Sequence, residues 1–118
     1  MSKVKEILRR KREREKKLQA SLDSIVGQLR NIGALKIILF GSLAEGNIDV
    51  YSDLDLLVIM PSTMSGKEWM KLVYGAVERE IASDIIVYNL KEFKEKLPIS
   101  SFLQMIVNSG RVVYEKSI

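Results

Sequence analysis

The feature that most constrains this sequence is a polar loop between two apolar runs. The first run, residues 37–40, ends at a Gly-Ser pair, and the second, residues 56–60, directly follows an Asp-Leu-Asp triplet. Short apolar runs bounded by turn residues are typical of buried strands. The pattern therefore predicts two core strands whose polar ends carry a glycine, a serine and two carboxylates.

The two acids of the triplet, Asp53 and Asp55, are predicted to share one face of the second strand. Side chains alternate along a strand, so both acids point the same way as Leu57, whereas Leu54 and Leu56 point to the other face. Two carboxylates held this close repel each other, and Mg²⁺, which prefers oxygen ligands, would relieve the repulsion. The pair predicts a metal site, with a turn or strand-start role as the alternative for Asp53.

Asp84 is a third acid at a strand, near the start of a β-branched run at residues 81–88. If that strand lies beside the strand of Asp53 and Asp55, Asp84 supplies a third oxygen ligand and a base near the nucleophile. The alternative is a polar residue in a helix-to-strand loop.

The Gly-Ser pair, Gly41 and Ser42, is a candidate phosphate site. Glycine lets the backbone turn sharply and approach a ligand, and the amides of a helix beginning at residues 43–45 would attract an anion. Ser42 either donates its hydroxyl to a phosphate or caps that helix. A phosphate site beside carboxylates that bind metal is what phosphoryl or nucleotidyl transfer requires.

Composition narrows the chemistry and the location. The 118 residues include no cysteine and no histidine, which excludes disulfides, zinc sites and Ser-His catalysis, so that any metal must be bound by oxygen. The length predicts a single domain over residues 1–118. No apolar run is long enough to cross a bilayer, and the charged start differs from a signal peptide. We expect a cytoplasmic protein without membrane contact.

The basic character is concentrated in residues 1–20. This segment holds nine basic and three acidic residues, a local charge of +6, which leaves −2 for the remainder of a chain whose net charge is +4. The segment contains no aromatic residue on which a base could stack. A solvated helix face is therefore preferred to nucleic-acid contact, and we expect no nucleic-acid partner.

Apolar periodicity predicts a long N-terminal helix over residues 2–31 that ends at Gly33, with its second half on the core and its first half projecting. Further helices are predicted at residues 66–79 and around Pro98, where residues 90–95 and 99–109 form either one broken helix or two short ones. A last strand is predicted at residues 112–114. The buried faces are predicted to contain Trp69, Leu72, Val73 and Val77 in the helix after the central strands, and Phe102, Met105 and Ile106 in the last helix. Strands that alternate with helices indicate an α/β or α+β class, with a small mixed β-sheet flanked by helices.

The spacing of Gly41-Ser42, ten residues and Asp53-x-Asp55 resembles the GS-x10-DxD signature of the DNA polymerase β-like nucleotidyltransferase superfamily. The strings SDLDLLV at 52–58 and NSGRVVYE at 108–115 resemble its minimal nucleotidyltransferase (MNT) branch. The resemblance extends from about residue 20 onward and implies the polymerase β-like fold. It also implies that Gly41 and Ser42 hold a nucleoside triphosphate, and that three catalytic acids, Asp53, Asp55 and Asp84, bind two Mg²⁺ ions.

The resemblance implies an activity and a partner. Members transfer a nucleoside monophosphate, such as AMP from ATP, to a hydroxyl. Many minimal members form a toxin–antitoxin pair with a helical HEPN-domain protein and place AMP on one of its tyrosines. We therefore expect a protein adenylyltransferase that acts as the antitoxin of such a pair. The alternative is a non-catalytic nucleotide-binding module that neutralises its partner by binding.

The sequence departs from this family in two respects. Glu45 stands in the loop where many relatives carry an arginine, which leaves the affinity for nucleotide and the choice of base open. We also expect this chain to function without the additional domain with which larger relatives bind acceptors. We expect the acceptor site to be completed by another protein or by a second copy in a homodimer, with the long N-terminal helix as the contact surface.

Overall fold

The computed structural model describes residues 2–41, 44 and 53–117. The predicted helix start at residues 43–45 falls on a stretch of which only Ala44, in a turn, is described, and Ser42 and Glu45 lie outside the described residues. Within the described residues, no helix has both the length and the apolarity that a membrane crossing needs. The elements in chain order are α1 (Lys3–Ile32), β1 (Lys36–Phe40), β2 (Leu54–Met60), α2 (Gly66–Ala76), β3 (Ser83–Asn89), α3 (Leu90–Lys96), α4 (Ser101–Ser109) and β4 (Arg111–Glu115).

The strands form one mixed sheet in the order β3-β2-β1-β4, which confirms the predicted class. Strand β1 is antiparallel to both β2 and β4, whereas β2 and β3 are parallel. Parallel neighbours need a crossover connection, and α2 supplies it. As a result β1 ends at the same edge of the sheet at which β2 and β3 begin. This edge is called the carboxylate end below.

Each face of the sheet carries its own part of the core. Helices α1 and α2 cover one face and α4 packs on the other, with partly buried residues of α3 beside it. Strand β2 alternates between the faces as predicted, because Leu54, Leu56 and Val58 join the α1 and α2 side while Leu57 joins the α4 side. The face with α1 and α2 contains Leu18, Leu22, Ile25, Leu29, Trp69 and Val73, and the face with α4 contains Ile38, Leu103 and Ile106.

Helix α1 has the predicted bounds and the predicted division into two halves. Ser2 caps its start by accepting a hydrogen bond from the Lys5 amide, and Gly33 ends it in the left-handed conformation at φ 119°. Its thirty residues span about 45 Å, more than the two shorter dimensions of the molecule, 29 and 25 Å. Burial begins at Leu18, whereas Val4 and Ile7 are exposed by 66% and 63%. The first half therefore projects from the body.

Two predicted helix faces differ from the structure. In α4 the buried residues are Leu103 and Ile106, while Phe102 and Met105 are exposed by 43% and 47%. Five of the six residues at positions 102–107 are apolar, so periodicity alone could not choose the face, and packing selected one pair three residues apart.

Helix α2 is shorter than predicted and buries fewer residues. It ends at Ala76 rather than near residue 79, because Val77 adopts an extended backbone, although the Val77 side chain remains buried. Leu72, predicted to be buried, is exposed by 39%. Trp69 is a core residue as predicted, 7% exposed, and its indole N–H donates to the Pro61 carbonyl oxygen at 2.8 Å.

A polar network joins the elements at the end of the sheet opposite the carboxylate end. Asn89 caps α3, and the Glu92 carboxylate accepts hydrogen bonds from the amides of Asn89 and Gly66, both at 2.9 Å. The Asn89 side-chain amide donates to the Met64 carbonyl oxygen, also at 2.9 Å. The end of β3 and the starts of α2 and α3 are thereby held together.

Candidate active site

Three residues on neighbouring strands form a row across the sheet at the carboxylate end. Phe40 of β1 is the register partner of Asp55 of β2, and Asp55 is in turn the register partner of Asp84 of β3. Residues directly opposite each other on adjacent strands project from the same face of a sheet. Two residues further along their strands, Leu57 and Ile86 belong to the cluster packed against α4. Asp55 and Asp84 therefore share the α4 face.

Asp55 is the acid whose ionisation the site disfavours. Its side chain is partly buried, whereas Asp53 and Asp84 are exposed. Burial raises the pKa of Asp55, and the charge of Asp84 and then that of Asp53 raise it further. The charges of Asp84 and Asp53 are thus near enough to act on Asp55.

Gly41 brings the backbone against the Asp55 carboxylate. It directly follows β1 and adopts φ 79°, the left-handed region that favours glycine. A Cβ atom at this position would collide with the Asp55 carboxylate oxygen Oδ2. A glycine is therefore required here both by its backbone angle and by the closeness of an acid, as expected for a sharp turn at the end of a buried strand. Ser42, the other predicted nucleotide contact, is outside the described residues.

The acids fit a magnesium ion in their chemistry but do not form a closed metal site. Their donors are carboxylate oxygens, the ligands that Mg²⁺ prefers. The pKa of Asp55 is raised by burial first and then by the charges of Asp84 and Asp53, and a cation would offset those charges. Yet nowhere in the described part of the chain do three acidic side chains cluster tightly enough to hold a metal ion. Binding of one ion by all three acids would require their carboxylates to draw closer together.

An open cavity of ≈420 Å³ lies beside the row, on the β3 side. Asp53 and Asp84 line it together with Tyr74 and Arg79. The predictions from sequence missed Tyr74 and Arg79. Arg79 lies only five residues before Asp84, but the sequence pattern placed it at the end of α2. Because α2 ends at Ala76, the chain runs back toward β3 and brings Arg79 to the cavity.

Tyr74 and Arg79 hold the outer side of β3 next to Asp84. The Tyr74 hydroxyl accepts a hydrogen bond from the Ile85 amide at 3.0 Å and donates one to the Ile85 carbonyl oxygen at 3.1 Å. The Arg79 guanidinium carbon lies 4.4 Å from the centre of the Tyr74 ring, and Arg79 Nη1 donates to the Ser83 carbonyl oxygen at 3.4 Å. The guanidinium is thereby fixed on the wall of the cavity.

The chain matches the family model described as polymerase beta, nucleotidyltransferase, over residues 21–118. Among curated proteins, a candidate protein adenylyltransferase of Methanocaldococcus jannaschii is 31% identical over 75 residues, which are 64% of this chain and 74% of that protein.

Two solved structures share the fold. A candidate nucleotidyltransferase from Sulfolobus solfataricus superposes with a TM-score of 0.64 at 18% identity, covering 91% of this chain and 88% of the other. A toxin–antitoxin structure with AMP-PNP gives a TM-score of 0.50 at 23% identity, covering 80% of this chain and 73% of the other.

Proposed function

Because the chain belongs to the polymerase β-like nucleotidyltransferase superfamily, as one of its minimal nucleotidyltransferases, we propose that it transfers AMP from ATP to a hydroxyl group of a partner protein. The observation that carries the proposal is the register of the sheet, in which Asp55 and Asp84 are partners on parallel strands. The turn at Gly41 lies against the same carboxylate. The M. jannaschii relative, whose name assigns it to the protein adenylyltransferases, supports a protein as the acceptor.

Each site residue has a proposed role. Gly41 and Ser42 hold the triphosphate, which the sharp backbone turn at Gly41 allows to approach. Asp53, Asp55 and Asp84 would hold two Mg²⁺ ions through their carboxylate oxygens. Bound Mg²⁺ would neutralise the charge of the phosphates and acidify the attacking hydroxyl.

The proposed reaction is an in-line displacement at the α-phosphorus. The acceptor oxygen forms a bond to that phosphorus, the bond from the phosphorus to the bridging oxygen of the β-phosphate breaks, and pyrophosphate leaves. Asp84 takes the proton of the acceptor hydroxyl, since it is an exposed carboxylate at the end of the row away from Gly41.

We propose that the acceptor belongs to a toxin–antitoxin pair in which this chain is the antitoxin. The structural neighbour named as a toxin–antitoxin with AMP-PNP supports this assignment. A helical HEPN-type protein is the proposed partner, modified on a tyrosine. A second copy of this chain is the other candidate for completing the acceptor site.

Labelled ATP tests the proposal directly. The purified chain, Mg²⁺, ATP labelled on the α-phosphate and the protein encoded beside it are incubated together. We expect label on that protein and none when Asp55→Asn replaces the wild type. Glu95→Gln, which changes an exposed acid on α3, is the matched control and should label as the wild type does. Equal labelling by Asp55→Asn would contradict the proposal.

The alternative function is neutralisation by binding alone, without catalysis. It is favoured by one observation: in the described residues the three acids are not gathered into a metal site. The double variant Asp53→Asn/Asp55→Asn separates the two functions in cells that express the toxic partner. Loss of protection supports catalysis, whereas full protection supports occlusion.

A further inference from the structure

We infer that Arg79 is a phosphate-binding residue of this nucleotidyltransferase, contacting the nucleoside triphosphate from the β3 side of the site. The inference rests on the proposed function, because it presupposes that ATP binds between Gly41 and the three acids. It assigns a ligand contact to a side chain outside the Gly-Ser and Asp-x-Asp pattern.

The position of Arg79 places its side chain beside the acids of the candidate site. Arg79 lines the same cavity as Asp53 and Asp84, the two exposed acids of the site. A phosphate held near those acids through cations would be close to this cavity. Among the described residues that line the cavity, Arg79 is the one with a positive charge.

The charges around the cavity also favour a phosphate contact at Arg79. Asp53, Asp84 and Glu80 all face the cavity, and a nucleoside triphosphate adds further negative charge. Arg79 supplies a positive charge from the segment between α2 and β3.

The Arg79 guanidinium is held in place before any ligand binds. The guanidinium stacks on the Tyr74 ring at 4.4 Å, and the Tyr74 hydroxyl is itself bound to both backbone groups of Ile85. Within the described chain one hydrogen bond, at 3.4 Å to the Ser83 carbonyl oxygen, engages the guanidinium. A guanidinium has five N–H donors in a planar fork. The remaining donors are therefore presented by a side chain whose orientation is already fixed, which reduces the entropy lost on binding a phosphate.

Titration calorimetry with ATP and Mg²⁺ tests the inference on the full chain. Arg79→Gln keeps a donor for Ser83 and removes the charge, and we expect its Kd for ATP to rise ~10-fold or more. Arg79→Lys keeps the charge without the fork and should lose less affinity than Arg79→Gln. The matched control is Arg30→Gln, since Arg30 also stacks on a tyrosine, Tyr114 at 5.7 Å, but lies on α1. Its Kd should equal that of the wild type.

Competition by inorganic tripolyphosphate identifies the group that Arg79 contacts. A phosphate contact predicts that Arg79→Gln weakens tripolyphosphate and ATP by a similar factor. Weakening of ATP alone would overturn the assignment in favour of a contact to the nucleoside. A purely structural role predicts that Arg79→Lys is as impaired as Arg79→Gln, and unchanged Kd values in both variants would also overturn the inference.

The failure of the proposed function is distinguishable from the failure of this inference. If the wild type itself binds neither ATP nor tripolyphosphate, both are overturned. If the wild type binds ATP and Arg79→Gln binds it equally well, only the role of Arg79 is overturned.

Discussion

At Gly41 the requirement for glycine has two separate causes, and they can be measured separately. Gly41→Ala places an ordinary residue at φ 79° and drives a Cβ into the Asp55 carboxylate. We expect the free energy of unfolding to fall by about 1–2 kcal/mol from the backbone angle alone, and nucleotide binding to be lost because Asp55 is displaced. Urea unfolding and ATP titration measure the two effects.

Gly33→Ala is the matched control for that experiment. Gly33 also has a positive φ, 119°, but a Cβ there meets no atom within 4 Å. This variant should lose stability and keep its affinity for ATP. Unimpaired ATP binding by Gly41→Ala would show that the contact with Asp55 does not matter for the nucleotide.

Asp55 is expected to reduce the stability of the fold at neutral pH. Its pKa is raised in the folded state, so the cost of ionisation is absent below the ordinary aspartate pKa of about 3.9. The cost appears as pH rises through that value and is complete above the folded pKa. Asp55→Asn should therefore melt at a higher temperature than the wild type at pH 7, by no more than about 4 °C.

The difference in melting temperature between Asp55→Asn and the wild type should shrink toward zero as the pH is lowered to about 3.5, because the side chain at position 55 is then uncharged in both folded proteins. Thermal unfolding at several pH values measures this change. A constant difference from pH 7 to pH 3.5 would mean that ionisation is not its cause. Added Mg²⁺ is expected to raise the melting temperature of the wild type but not that of Asp55→Asn.

At the scale of elements, helix α1 combines a structural half with a projecting half. Deletion of residues 1–12 removes part of the projection, including exposed ion pairs such as Arg9 with Glu6. Exposed pairs contribute little to stability, so we expect the free energy of unfolding to change by less than about 1 kcal/mol. Leu22→Ala, in the buried half, should cost about 2–5 kcal/mol. Comparable losses from the two changes in urea unfolding would show that the projection supports the core.

The helices differ in how well the sequence predicted their bounds and their buried faces. Helix α1 was predictable to within a residue or two because its cap at Ser2, its stop at Gly33 and its apolar spacing all agree. Helix α4 was predictable as a helix but not in its orientation, since nearly every residue from 102 to 107 is apolar. The end of α2 depends on the extended backbone at Val77. Gly75 stands two residues earlier but lies inside the helix, so it did not mark the position of the end.

For the whole molecule, the sequence signature predicted the acids and the class of fold, and the sheet order added their neighbourhood. From the sequence, Asp84 was predicted as a site residue only if its strand lay beside the strand of Asp53 and Asp55. Periodicity alone does not show which strands pair. The parallel register of β2 and β3 places it beside Asp55. Arg79 could not be found in this way, since its placement depends on a chain reversal after α2 and on contacts with Tyr74. The metal-binding and nucleotide-binding roles remain predictions.

The network around Glu92 holds together the end of the sheet that lies opposite the candidate active site. Its carboxylate joins the starts of α2 and α3, and Asn89 joins the end of β3 to the loop before α2. These bonds oppose sliding of the parallel strands at that end. Asp53, Asp55 and Asp84 lie at the opposite end of the sheet, which these bonds do not reach. Their carboxylates can therefore reorient around an incoming substrate while the packing of the helix starts stays as it is.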